Sequence, residues 1–235
     1  MTRKNLKILG GKELIVWSIE EAKKAKSLDY FLVSTDDDEI AEISRKAGAP
    51  VPFKRPSELS IDKNGKEVDT VEVAIHSVKW FEQTHNRIVS HVCLCQPTSP
   101  FRTADDIDSC IHLAKVTNAD TVVSIAKARQ SPYWCMEANP VTQQLHSFMD
   151  VPLEGANLIS QNLPLVYYPN GAVYVTKRDV IMNGRIYGNK ILGFNMPSER
   201  SLDIEDELDL IVASSLLPQI KEKEGIWTKL SWIVS

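Results

Sequence analysis

The sequence holds little that would take it out of water. Across 235 residues there is no apolar run near the ~18 that a membrane helix needs, and no basic start with an apolar middle of the secretory kind. A cytoplasmic protein without a membrane partner is expected. Cysteine is scarce: of Cys93, Cys95, Cys110 and Cys135, only the first two lie close, as a C-x-C in a strand. Because strand side chains alternate between faces, the pair reads as poor chelators of one metal, and all four as reduced core residues. Positive charge is not in excess. With 27 basic against 31 acidic residues and a net charge of −4, the chain lacks the basic surface that nucleic acid requires. Repeats and low-complexity tracts are missing too. What is present, 43% hydrophobic and 25% charged residues, suffices to bury one full α/β core over residues 1–235.

The periodicities alternate. Apolar residues at Leu14, Trp17, Ile19, Ala22 and Ala25 predict a helix to Lys26, Tyr30–Ser34 reads as a buried strand, and Glu39–Ala47 as a helix ended by Gly48. Helices over 69–83 and 104–116 alternate with strands at Val92–Cys95 and Thr121–Ile125. From Gln130 to about Pro169 the rhythm breaks among prolines and aromatics, which reads as an excursion from the sheet. Strands resume at Ala172–Val175 and Leu192–Met196, followed by a helix from about Asp206 to Leu217 that Pro218 should stop. The Trp-rich tail from Gly225 fits no element. This order predicts a mainly parallel sheet covered on both faces.

Three polar corners then fall at strand ends: Ser34-Thr35-Asp36-Asp37-Asp38, Gln96-Pro97-Thr98-Ser99 and Ser201-Leu202-Asp203-Ile204-Glu205. In a parallel sheet they share one rim, where open α/β folds bind ligands. Asp36–Asp38 suit helix capping. Asp203 and Glu205, two apart in an extended segment, point the same way. They suit either a hard cation bridging phosphate oxygens or the solvated start of an acidic helix.

Longer stretches carry more. LCQPTSPFRTADDID from Leu94, FLVSTDDDEIAEISRKAGAPVPFKRPSEL from Phe31, PNGAVYV from Pro169 and RSLDIEDELDL from Arg200 closely resemble, in order, the acylneuraminate cytidylyltransferases. The resemblance implies a three-layer, Rossmann-like nucleotidyltransferase fold. It also implies transfer of a cytidylyl group from CTP, with Mg²⁺, to a nine-carbon 2-keto sugar acid of the sialic, legionaminic or pseudaminic type. By the same resemblance Asp203 is a metal ligand and possible proton acceptor, and Glu205, where the family usually has Asp, a second ligand. Lys4 lies at the phosphates, Asn5 and Arg55 near the nucleoside, and Gln96, Asn170 and Tyr174 at the sugar acid. Residues 130–168 become a dimerisation segment of a homodimer.

The chain also departs from the family. Ser160 and Trp134 stand where basic residues are usual, and 62–66 departs from the stretch that shapes the base pocket. The family's apolar first strand and glycine-rich phosphate loop do not precede Arg3-Lys4-Asn5 here, so weak CTP binding is expected. The rival readings are a non-catalytic binding paralogue and a transferase for the eight-carbon acid Kdo.

Overall fold

A computed structural model describes residues 3–60, 69–152, 154–155 and 159–230. The departure at 62–66 lies outside them, as do the side chains of the Trp-rich tail. After a single turn at Lys4–Leu6 comes a small antiparallel hairpin, β1 (Ile8–Leu9) and β2 (Lys12–Glu13). Gly10 and Gly11 close it at φ of 60° and 90°, values only glycine adopts freely. This hairpin has no strand-length periodicity and was not foreseen. Helices α1 (Leu14–Lys24) and α2 (Asp38–Lys46) follow, then α3 (Thr70–His85), β3 (His91–Leu94), α4 (Ala104–Thr117) and β4 (Thr121–Lys127).

The excursion carries a second hairpin, β5 (Met136–Ala138) with β6 (Leu145–Ser147). The chain returns through β7 (Tyr167–Lys177), α5 (Arg178–Met182), β8 (Ile191–Asn195) and α6 (Glu207–Leu230). The helix starts obey the capping rules. Asp37 accepts from the amides of Glu39 and Ile40, and Thr103 forms a capping box with Asp106.

The central sheet runs β3-β7-β4-β8. Three of its strands point one way, but β7 lies reversed between β3 and β4, so only the β4–β8 pairing is parallel. The expected mainly parallel sheet is therefore a mixed one. Helices α1 and α4 pack together on the sheet, and α3 with α5 against β3 and β7. Ile107, Cys110, Ile111 and Ala114 of α4 join Val122, Val173 and Val175 in the main core.

Three expectations change. Tyr30–Ser34 is extended but forms no strand ladder among the described residues. Val33 donates to the Pro50 carbonyl at 2.9 Å and Thr35 makes one isolated bridge to Lys54, while Phe31 and Val33 bury against Ile15 and Ile19. Pro218 does not stop α6. Proline costs the helix one amide bond, but Pro218 faces solvent while Ala213, Leu217 and Ile220 on the opposite face pack on Leu9 and Phe101. Cys93 and Cys95 are two apart and so share a strand face, their Sγ atoms 3.8 Å apart; they are half-buried, and Cys135 is exposed.

Asp120 ties the far end of the sheet. Its carboxylate accepts from the amides of Asn189 and Lys190 and from Lys177 Nζ, each at 3.0 Å. Those bonds, that of Lys190 foremost, pull its pKa down to about 2. A depressed carboxyl stabilises the fold fully above its unfolded value near ~3.9 and loses that contribution as pH falls through the folded value. Asp120→Asn should therefore lower the urea midpoint at pH 7, and the gap to the parent should close between about pH 4 and pH 2.

Candidate active site

The three corners do share one rim, and named bonds join them. The amide of Ile204 donates to the Thr98 carbonyl at 2.8 Å, fastening the Asp203 segment to the Gln96–Pro100 corner. Lys4 Nζ pairs with Glu205 at 2.8 Å, and the adjacent Arg3 pairs with Asp37 at the same distance, so the Lys4–Leu6 turn bridges the first corner to the third. Asn5 sits half-buried in that turn. At the first corner Arg55 holds Asp36 at 2.6 Å. Burial, the largest single influence, disfavours the Asp36 carboxylate, but the hydrogen bonds from Arg55, Ser60 and its own amide, with the Arg55 charge, together outweigh it and keep the group below its ordinary range. Arg55 Nε and Ser34 Oγ are buried without partners, which leaves hydrogen-bonding capacity for a ligand.

The centre of the rim is built by an irregularity in β7. Between the pairs Val123–Tyr174 and Ile125–Pro169, β4 advances two residues while β7 advances five, so Asn170–Val173 bulges from the ladder. Side chains replace the missing ladder bonds. Ser124 Oγ donates to Asn170 Oδ1 at 2.6 Å and accepts from the Val173 amide at 2.8 Å; Asn170 Nδ2 donates to Ser201 Oγ at 2.8 Å. Asn170 is 1% exposed with both ends of its amide engaged. Its side chain therefore holds the bulge at the rim.

The bulge brings Gly171 to the rim at φ 75°. A Cβ there would stand 2.8 Å from Gln96 Oε1 and 3.1 Å from both Asp203 Oδ2 and Ser99 Oγ, so three oxygens converge over one glycine. Asp203 Oδ1 is buried and has no hydrogen-bond partner. A buried anionic oxygen without a donor, beside amide and hydroxyl oxygens, is a donor set suited to a hard cation. Glu205 is instead exposed and paired with Lys4, and no cluster of three metal-binding side chains occurs among the described residues. Tyr174 lies three residues beyond Gly171. Burial, with Tyr187 and the charge of Asp203, pushes its pKa up to about 12, so it stays a neutral donor at physiological pH.

Gly171 and Arg102 had not been singled out, and Ser99 only as a member of its corner. A glycine inside an otherwise apolar strand was the available signal for Gly171, since such residues mark bulges or close approach. Arg102 gave none: it reads as a solvated helix-start charge, yet it is 2% exposed.

The sequence model of the cytidylyltransferase family matches residues 1–151. A CMP-N,N'-diacetyllegionaminic acid synthase of Legionella pneumophila is 32% identical over 91% of this chain and 89% of its own length. A pseudaminic acid cytidylyltransferase of Campylobacter jejuni is 29% identical over the same shares of the two chains. Among solved structures, a CMP:2-keto-3-deoxy-manno-octonic acid synthetase complexed with CTP superposes at a TM-score of 0.62 over 93% of both chains, with 14% identity, a likeness of fold. The chain belongs to the cytidylyltransferase family and, within it, to the acylneuraminate cytidylyltransferases that its motifs resemble.

Gly171→Ala should leave the chain folded but inactive. A β-carbon strains the positive φ by about 1–2 kcal/mol and displaces the three oxygens, with turnover falling on the order of 10²-fold. Pyrophosphate release, with circular dichroism as the folding control, checks it.

Proposed function

We propose that the chain activates a nine-carbon 2-keto sugar acid with CTP, giving the CMP-sugar and pyrophosphate, and that its reacting centre is the oxygen cluster over Gly171. The observation that carries the placement is the Asp203 carboxylate, whose Oδ2 converges with Gln96 and Ser99 over Gly171 while its Oδ1 is buried without a partner. These residues fit Mg²⁺, with Asp203 as the carboxylate ligand. When bound, the cation would neutralise charge developing on the α-phosphate oxygens.

The chain's own groups divide the remaining work. Lys4, held by Glu205, presents a compact positive charge to the phosphates; Glu205 orients it and is free to turn toward the cation. Asn5 and Arg55 line the nucleoside side. Gln96 and neutral Tyr174 offer hydrogen bonds to the sugar acid, whose anomeric hydroxyl can pass its proton toward Asp203. Acids of the sialic, legionaminic and pseudaminic type share the backbone that such contacts read. By the family resemblance Ser160 and Trp134 replace residues that some members have as basic, which would put less positive charge at the sugar acid and favour one bound through neutral hydrogen bonds.

Two copies form the working unit. Val141, Leu145 and Phe148 are 88%, 57% and 68% exposed on or beside the β5–β6 hairpin, a grouping of large apolar side chains of the kind that marks an interface. A cytoplasmic location agrees with these substrates.

Pyrophosphate release should require CTP and a nine-carbon acid, with ATP, GTP and UTP inert and Kdo poor. Failure with every nine-carbon acid tried would overturn the activity. Asp203→Asn should cut turnover ~10²- to 10³-fold without unfolding the chain, the scale of losing one electrostatic contact at the reacting centre. An unchanged rate would remove Asp203 from the site. Light scattering should give twice the chain mass, and Phe148→Asp should shift the distribution toward monomer; a parent chain monomeric at micromolar concentration would contradict the dimer.

A further inference from the structure

The thiols of Cys93 and Cys95 are used by nothing in this chemistry. Their sulfurs lie 3.8 Å apart where β3 runs out toward Gln96, both residues half-buried. The last laddered residue of β3 is Leu94, opposite Tyr174, so Cys95 stands just past the hydrogen-bonded register. We propose that Cys93 and Cys95 are a thiol–disulfide site, oxidised by low-molecular-weight disulfides, whose closure displaces Gln96 and lowers activity. The consequence for activity rests on the placement of Gln96 in the reacting centre; the disulfide itself does not.

Residues two apart in a strand are separated by about 6.6 Å, the upper end of the Cα separation a disulfide spans. Closure must therefore draw the sulfurs from 3.8 Å to about 2.05 Å by bending the chain at its freer end, which is Cys95. Gln96 follows directly. Its carbonyl accepts from Arg102 Nη1 at 3.2 Å and from the Ser99 amide at 3.3 Å, and its side chain overhangs Gly171, so a bend there disturbs both the corner and the oxygen cluster. A disulfide closed under strain is readily reduced, which makes the step reversible.

The chemistry balances with a disulfide of the glutathione type. The Cys95 thiolate attacks one of its sulfurs, forming a mixed disulfide and releasing one glutathione thiolate, which takes up a proton. Cys93 then loses its proton and attacks the Cys95 sulfur, expelling the second glutathione. The protein gives up two electrons and two protons, and one oxidised glutathione becomes two reduced ones. Cys95 is suited to the first attack because it stands past the last laddered residue of β3, at the freer end of the run. Of the other thiols, Cys110 is fully buried and pushed up by that burial and by Asp106, and Cys135 lies on the excursion.

The test treats the full chain with oxidised glutathione, alkylates the free thiols, and reads intact and peptide mass. The expected product lacks two hydrogens and links Cys93 to Cys95, with Cys110 and Cys135 alkylated on unfolding. Hydrogen exchange at 96–102 should quicken in that form, and pyrophosphate release should fall about 10²-fold and return with dithiothreitol. The double variant Cys93→Ser/Cys95→Ser should keep its activity in oxidant. No linked peptide, or a link to Cys110 or Cys135, overturns the site; a linked peptide with unchanged exchange at 96–102 overturns the displacement. If the reduced chain releases no pyrophosphate, the cytidylyl-transfer reading fails, while mass and exchange still decide this one.

Discussion

One buried cation holds the working corner together. Arg102 donates through Nη1 to the carbonyls of Gln96, at 3.2 Å, and Ala172, at 2.7 Å, and through Nη2 to Ser18 Oγ. Its partners are backbone and hydroxyl oxygens, and Nε has none. Burying a guanidinium costs several kcal/mol unless its donors are met, so these oxygens are held where they are or the cost returns. The oxygens belong to α1, to the end of β3 and to the bulge of β7. A single side chain therefore fixes the relative position of the two segments that carry Gln96 and Gly171.

Around that anchor the polar rim is arranged in tiers by how fully its groups are hydrogen-bonded. Nearest the core, Asn170, Ser124 and Ser201 are saturated with hydrogen bonds and shape the bulge. Next come Asp203, Gln96 and Ser99, whose oxygens converge with capacity to spare. Outermost, the pairs Lys4–Glu205 and Arg3–Asp37 are partly exposed and worth little to stability, typically below ~1 kcal/mol. Their weakness suits their position, since a charged triphosphate has to displace or recruit them. Rigidity thus lies beneath the site and adaptability at its mouth.

How much of this was legible depends on the range of the interactions. Helices α1, α2, α3 and α4 follow from local periodicity and caps such as Thr103-Asp106, and the three corners follow from the alternation of strand and helix. The reversal of β7 was hidden because a short buried apolar run such as Ala172–Val175 reads the same in either direction. Pro218 misled because its cost is local while the burial of Leu217 and Ile220 that overrides it is tertiary. The misreading of Cys93 and Cys95 came from counting neighbours, when residues two apart face alike. The part Asn170 plays in holding the bulge, and Arg102 altogether, could be recognised only once partners distant in sequence were seen around them.

The turnover number of Arg102→Met tests this arrangement most directly, measured with saturating CTP and sugar acid at a temperature where the variant remains folded. Methionine fills much of the volume but supplies no donor to the Gln96 and Ala172 carbonyls, so the strand end and the bulge lose their common anchor. The expected result is a fall on the order of 10²-fold, the scale of a misplaced reacting group, although Arg102 touches no substrate. A folded Arg102→Met enzyme with the parent's turnover number would show that the corner holds its geometry without the buried guanidinium, and would contradict its place as the anchor of the site.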